Sequence, residues 1–337
     1  MRFEFFSVLL FRFTELNFHK IILIALICLF ISREGLADWK KHDSGTLAWL
    51  HSIYFVDKDN GWIVGSNGTL LSTGDGGRTW IKRKTNTGDT FRDVYFSDAE
   101  NGWVLCDRGA YGKESPSYLI STTNGGKDWR STDFTDGRER MIRFVFAPDG
   151  AVFSIGEGGV ILQMQGERKP WKRSLLPIRY LMLDGFFINE SMGFLVGGGG
   201  TMLTTTDGGS SWSEPKFAES RKRTKLNALY FADHKTGWAA GNQGRIYSTN
   251  DGGNLWREQI TEVSSDLLDV AFNGPKVGFA VGDNGIVLRT NNAGAKWTVE
   301  RTGTRHKLER VLIHGTRGFA IGYGGTILTT EISGMVQ

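Results

Sequence analysis

Three aspartates, Asp93, Asp184 and Asp269, each stand at the head of an apolar alternating run: DVYFSD (93–98), DGFFINE (184–190) and DVAFNG (269–274). Two carboxylates facing each other across a cleft are what glycoside hydrolysis requires, one as acid and one as base or nucleophile. The setting argues for a structural duty instead. Each aspartate falls at a loop–strand junction, where pairing with a neighbour such as Arg92 or plain solvation accounts for it. The 6 histidines are scattered and Cys28 and Cys106 stand far apart, so no metal-ligand spacing exists and no cofactor is expected. Glycine-rich segments such as GSNG (65–68) precede no helix and are not phosphate loops. Arginine is the remaining chemistry. The chain has 40 Lys+Arg against 36 Asp+Glu, a net charge of +4, too mild to imply nucleic acid. Its arginines nevertheless cluster, and the planar guanidinium fork binds carboxylates in pairs. The candidate partner-binding residues are Arg92, Arg138, Arg140, Arg143, Arg173, Arg179, Arg221, Arg223, Arg305 and Arg310.

The elements that must position these side chains come from a repeat. STGDGGRTW (72–80) recurs as STTNGGKDW (121–129), TTTDGGSSW (204–212), STNDGGNLW (248–256) and RTNNAGAKW (289–297). The order is that of a tight turn between two strands. The side chains of Asp75, Asn124, Asp207, Asp251 and Asn292 accept backbone N–H groups, glycine takes positive φ, and Trp80, Trp129, Trp212, Trp256 and Trp297 open the next strand. Trp39 and Trp171 extend the series. The tryptophans are then 41, 49, 42, 41, 44 and 41 residues apart, the period of a four-stranded propeller blade. Their rings are expected in the core.

Each unit adds an apolar run, a Gly-aromatic pair such as Gly61-Trp62, and a second glycine turn read as a two-residue hairpin. With no helix signal, the chain reads as all-β. Six units are complete. The seventh, from 307 to 330, lacks its closing strand, and the segment around Trp39 supplies it. The expectation is a seven-bladed propeller of four-stranded antiparallel blades over 38–337, closed by its own N-terminal strand. Tyr180, Tyr230 and Tyr323 are candidates to border a central channel. Two units depart from the pattern, one by an insertion at 107–119 and one by a degraded turn at 161–171.

Propeller topology assigns faces. Interblade connections share one face with the turns between second and third strands, and the Asp-containing turns occupy the other. Segments 39–45, 81–92, 130–143, 172–179, 213–225, 257–266 and 298–310 hold 23 Lys+Arg against 12 Asp+Glu. That concentration is read as a docking face for an acidic segment or an anionic membrane surface.

The apolar run IILIALICLFI (21–31), followed by Gly35-Leu36-Ala37, reads as a secretory signal peptide over 1–37. Export to a periplasm is expected, with membrane anchoring if the signal is not cleaved. Cleavage leaves Cys106 as the one thiol, read as a small buried hydrophobe.

The unit G-x-x-G-x-[IL]-x-x-[ST]-T-x-D-G-G-x-x-W resembles the Asp-box (BNR) repeat. Joined to the Gly-aromatic second strand, it is similar to the photosystem II stability/assembly factor family over residues 38 to about 333. The resemblance implies a non-enzymatic assembly scaffold: no cofactor, a basic arginine-rich surface, and newly made membrane-protein segments as partners, in a thylakoid lumen if the host is photosynthetic. A monomer is expected. The alternative is a periplasmic carbohydrate-binding or sialidase-like glycoside hydrolase propeller. A sialidase needs an arginine trio and an early Arg-Ile-Pro. The first unit, TLAWLHSIYFVDKDNGWIVG (46–65), has no arginine, and Pro177-Ile178-Arg179 is reversed and misplaced.

Overall fold

The computed structural model describes residues 39–109, 116–134, 138–165, 171–218 and 223–332. The signal segment, Arg221, residues 110–115 of the insertion at 107–119 and residues 166–170 of the degraded turn at 161–171 lie outside them. In the first blade, strands Leu50–Phe55, Gly61–Gly65, Thr69–Thr73 and Ile81–Arg83 pair antiparallel in that order. The pattern repeats as blades 2 (90–133), 3 (141–175), 4 (182–213), 5 (226–259), 6 (267–300) and 7 (308–331). The innermost strands contact one another in cyclic order, blade 7 against blade 1 included. Among the described residues, helix is confined to single 3-10 turns.

The burial pattern follows from stacking. Gly61–Gly65 and Thr69–Thr73 are buried at every position, because a blade lies against each face of the sheet, whereas outer Ile81–Arg83 is exposed throughout. Aromatic rings fill the space between blades. Trp62 of blade 1 stacks on Phe96 of blade 2 at 3.5 Å between centroids, and Trp238 on Phe272 at 3.4 Å. The Gly-aromatic pair is explained by the register: Gly61 faces Phe55, Gly102 faces Phe96 and Gly237 faces Phe231, and each ring lies where a Cβ would stand.

The ring closes as the sequence implies. Lys40, Lys41 and His42 pair antiparallel with Thr329, Leu328 and Ile327. Trp39, 5% exposed, packs edge-on against Phe279 of blade 6 at 5.4 Å.

Three details differ from expectation. The fourth strand of blade 4 is reduced to one bridge, Thr204 to Ser213. Pro215 has no N–H to continue that ladder, and Lys216–Phe217 instead pairs parallel with Leu255–Trp256 of blade 5. The tryptophans divide: Trp80, Trp256 and Trp297 are buried, but Trp129, Trp171 and Trp212 are half-buried. The second glycine turns hold three residues rather than two, with positive φ at the last two, as at Gly324 (65°) and Gly325 (68°).

Gly325 also donates its N–H to the Ala48 carbonyl at 2.7 Å, and a methyl group there would overlap the Thr46 carbonyl oxygen. Gly303 has the same φ of 68° with open space around it. Gly303→Ala is therefore expected to cost only the left-handed backbone strain, about 1 kcal/mol. Gly325→Ala is expected to cost at least twice that, since the seam carbonyl must move. Urea unfolding of the two variants separates the contributions, and equal losses would refute the close approach.

Candidate partner-binding face

The two faces are built by different hydrogen bonds. On one, each interblade connection crosses the three-residue turn of the blade before it. The Thr85 hydroxyl donates to the Gly68 carbonyl at 2.9 Å and Thr302 to Gly285 at 3.0 Å, and the Gly159 N–H donates to the Tyr180 carbonyl at 3.2 Å. On the other, the Asp-containing turn latches onto the hairpin joining first and second strands. The N–H groups of Gly76, Gly208 and Gly252 donate to the carbonyls of Asp59, Ser191 and Lys235, each at 2.9 Å.

The turns on that second face are rigid. Asp75 Oδ1 accepts the Thr73 hydroxyl at 2.7 Å and the N–H groups of Arg78 and Thr79 at 2.9 Å each. Asp207 and Asp251 make the equivalent bonds to Ser211 and Leu255, and Asn124 and Asn292 do so to Asp128 and Lys296 with a neutral oxygen. Bonds from the Ser211 hydroxyl and N–H, then the Thr205 hydroxyl, hold the exposed Asp207 carboxyl down at about 2. These side chains serve the fold.

Charge separates the faces too. The described connections of the second face (56–60, 74–80, 97–100, 124–129, 147–151, 164–165, 171, 188–192, 206–212, 232–236, 250–254, 274–276, 291–297 and 315–316) hold 11 Asp+Glu against 6 Lys+Arg. That is the reverse of the interblade segments, whose described residues hold 21 Lys+Arg against 10 Asp+Glu.

The sequence-derived arginines do not form one set. Arg138, Arg179, Arg223 and Arg305 are exposed on interblade connections. Arg223 pairs with Glu214 at 3.1 Å, whereas Arg138, Arg179 and Arg305 have no ion pair among the described residues. Arg173 lies on the outer strand Lys172–Leu175 and pairs with Glu139 at 2.6 Å, which places it at the rim. Arg92 and Arg140 both approach Asp107, at 2.8 and 3.7 Å.

Arg143 and Arg310 correct the expectation. Both sit on innermost strands, and Arg143 is mostly buried, its Nη1 2.7 Å from Asp184 Oδ1. Arg310 is half-buried and donates to the Glu309 carbonyl at 3.2 Å. The cause is a β-bulge at the head of every innermost strand, which brings Asp93, Arg143, Asp184, Asp269 and Arg310 to the same rung of blades 2, 3, 4, 6 and 7.

The three aspartates are neither paired with Arg92 nor solvated; all are buried. Each reaches the next blade: Asp93 accepts the Phe144 N–H at 2.8 Å, Asp184 that of Leu229 at 2.9 Å and Asp269 that of Val311 at 2.9 Å. Asp93 also accepts the Ser52 hydroxyl at 2.6 Å. They fasten blade to blade. Burial pushes all three carboxyls up, Asp269 to about 7, against the pull of Arg143. Burial opposes the Arg143 charge, but Asp184, Asp93 and Asp269 outweigh it and raise its pKa.

Tyr180 and Tyr323 are 53% and 54% exposed on the basic face. Tyr230 is not free to border a channel site, because it is half-buried between Phe186 (5.9 Å) and Phe272 (6.3 Å). Cys106 is fully buried. Sequence reasoning passed over Leu47 and Ile260, which are 88% and 86% exposed in interblade connections. Their only signal is an aliphatic residue between strand segments.

No curated protein matches the chain. A solved structure of YCF48 bound to a D1 peptide is 23% identical, covering 89% of this chain and 99% of that one with a TM-score of 0.71. YCF48 from Cyanidioschyzon merolae is 21% identical over 89% of this chain and 100% of that one, TM-score 0.72. The GH74 xyloglucanase from Xanthomonas campestris is 11% identical, covering 89% and 54%, TM-score 0.70. At such identities these structures establish the fold alone. The family model described as photosynthesis system II assembly factor YCF48 matches residues 31–137, 163–261 and 255–336, nearly the whole ring and its repeats. By that match this chain belongs to the photosynthesis system II assembly factor YCF48 family.

Proposed function

We propose that this protein is an exported, non-enzymatic scaffold that holds a segment of a membrane protein during assembly of its complex, through the basic face. The observation that carries the reading is the one-sided charge of a propeller in this family. Arg138, Arg179 and Arg305 stand exposed and without ion pairs among the described residues, on the face where basic residues outnumber acidic ones. The YCF48 structure that contains a D1 peptide supports a membrane-protein client. A non-catalytic role is supported by the three buried aspartates, whose oxygens are engaged by backbone N–H groups of neighbouring blades. Export rests on the apolar run at 21–31; N-terminal sequencing of the mature protein, with a start at Asp38, tests it.

The binding test is titration of a labelled D1 peptide by fluorescence anisotropy. Arg138→Glu/Arg179→Glu/Arg305→Glu is expected to weaken binding at least tenfold, about 1.4 kcal/mol, and to flatten its salt dependence. Lys276→Glu, on the opposite face, is expected to leave it unchanged. Equal affinity of the triple variant and the native protein would remove the arginines from the site.

A further inference from the structure

We infer that the interblade face is also a membrane-docking face, which lies flat against an anionic lipid bilayer and inserts Leu47 and Ile260. The inference uses the face assignment but does not depend on the peptide reading. It begins from where large apolar side chains are left in water. Among the described residues these are Leu47 (88% exposed), Ile260 (86%), Val299 (49%), Ile81 (55%), Leu175 (47%), Tyr180 (53%) and Tyr323 (54%). Ile81, Leu175 and Val299 lie on outer strands at the rim. The other four all lie on the interblade face, and none lies in the turns of the opposite face.

Their distribution selects the partner. Leu47 precedes blade 1, Tyr180 precedes blade 4, Ile260 follows blade 5 and Tyr323 is in the turn of blade 7. An extended peptide crosses such a face along one line and cannot meet side chains spaced around the ring. A planar surface meets them together. The residue types suit the bilayer boundary: aliphatic tips enter the acyl region, tyrosines sit at headgroup depth, and arginine and lysine attract anionic headgroups. Arg138, Arg179, Arg223 and Arg305 are exposed cations of this face. Trp49 adds a further half-buried aromatic, 6.0 Å from Tyr323 and with the Lys307 ammonium 5.5 Å above its ring. The opposite face, whose described connections hold 11 acidic and 6 basic residues, would be repelled by the same lipids and turns outward.

The test is vesicle co-sedimentation. The ring of residues 39–332 has its own closed core, so the protein used begins at Asp38, without the apolar run that would itself bind lipid. Vesicles of phosphatidylcholine with phosphatidylglycerol are compared with phosphatidylcholine alone. Binding is expected to the anionic vesicles only and to disappear in high salt. Leu47→Ser/Ile260→Ser is expected to lower the partition coefficient at least fivefold, with an unchanged circular dichroism spectrum and melting temperature. Absence of binding to anionic vesicles, or full binding by that variant, overturns the inference. The D1 peptide titration without lipid is run on the same variant. Intact peptide binding by the native protein beside its failure to bind anionic vesicles sinks the membrane inference alone, whereas intact peptide binding by the variant beside its weakened vesicle binding supports it. Peptide binding lost by the variant, where the native protein does not bind anionic vesicles, assigns Leu47 and Ile260 to a protein partner and equally overturns it.

Discussion

Arg143→Met is expected to cost about 3–5 kcal/mol of folding stability at pH 8, because removing one partner strands the other's charge in the interior. Asp184 loses a 2.7 Å ion pair, and Asp93 and Asp269 lose the cation that draws on both. Nothing else in the interior compensates cheaply. The aspartates must keep accepting the Phe144, Leu229 and Val311 N–H groups or leave those donors orphaned. The pH dependence carries the sign. Burial already raises the three carboxyls, and loss of Arg143 raises them further. The folded variant then binds more protons than the unfolded chain from the ordinary carboxyl range, near 4, upward past the value of about 7 that Asp269 has with Arg143 in place. Its stability falls as pH rises through that window, so the penalty is smaller at pH 5 than at pH 8. Adding Asp184→Asn removes one stranded charge while keeping an acceptor for Leu229, and is expected to recover part of the loss. Urea unfolding at the two pH values checks both statements. A pH-independent cost below about 1 kcal/mol, the size of an exposed ion pair, would show that the rung is hydrated.

Trp39→Ala is expected to cost a further class of stability, about 3–5 kcal/mol, the range for truncating a buried tryptophan. Trp39 is 5% exposed and its ring lies against Phe279, so it ties the first strand of the chain to blade 6 as well as to the blade it completes. Loss of that anchor leaves Ile327–Glu331 as an unpaired edge, and edges invite intermolecular pairing. Aggregation on refolding should accompany the drop. Trp212→Ala is the comparison, since Trp212 is half-buried beside a single bridge. A smaller loss for Trp39 than for Trp212 would mean that closure depends on backbone pairing and not on the ring.

Much of this was legible along the chain because the repeat states its own geometry. The Thr-x-Asp-x-Gly spacing is a local hydrogen-bonding unit, so five copies place five turns without knowledge of their surroundings. The tryptophan spacing counts blades for the same reason. The glycine at the second strand was visible as a pattern, but its cause was not: a phenylalanine across the ladder occupies its Cβ position. The turn with Gly325 was read one residue short, because two successive left-handed residues leave the same glycine-rich trace as a two-residue hairpin.

Sequence by itself determined the class of fold, the number of blades, the closing strand and which connections share a face. Those follow from period, strand count and alternation, which are properties of neighbours in the chain. Tertiary structure alone decided which charges remain available. Arg143 and Arg179 look alike in a cluster of basic residues, yet one faces Asp184 in the next blade and the other faces water. The bulge that separates their fates changes no residue type. It sets which side of a strand a side chain leaves from, and only the packed neighbour blade shows whether a carboxylate or solvent is waiting there.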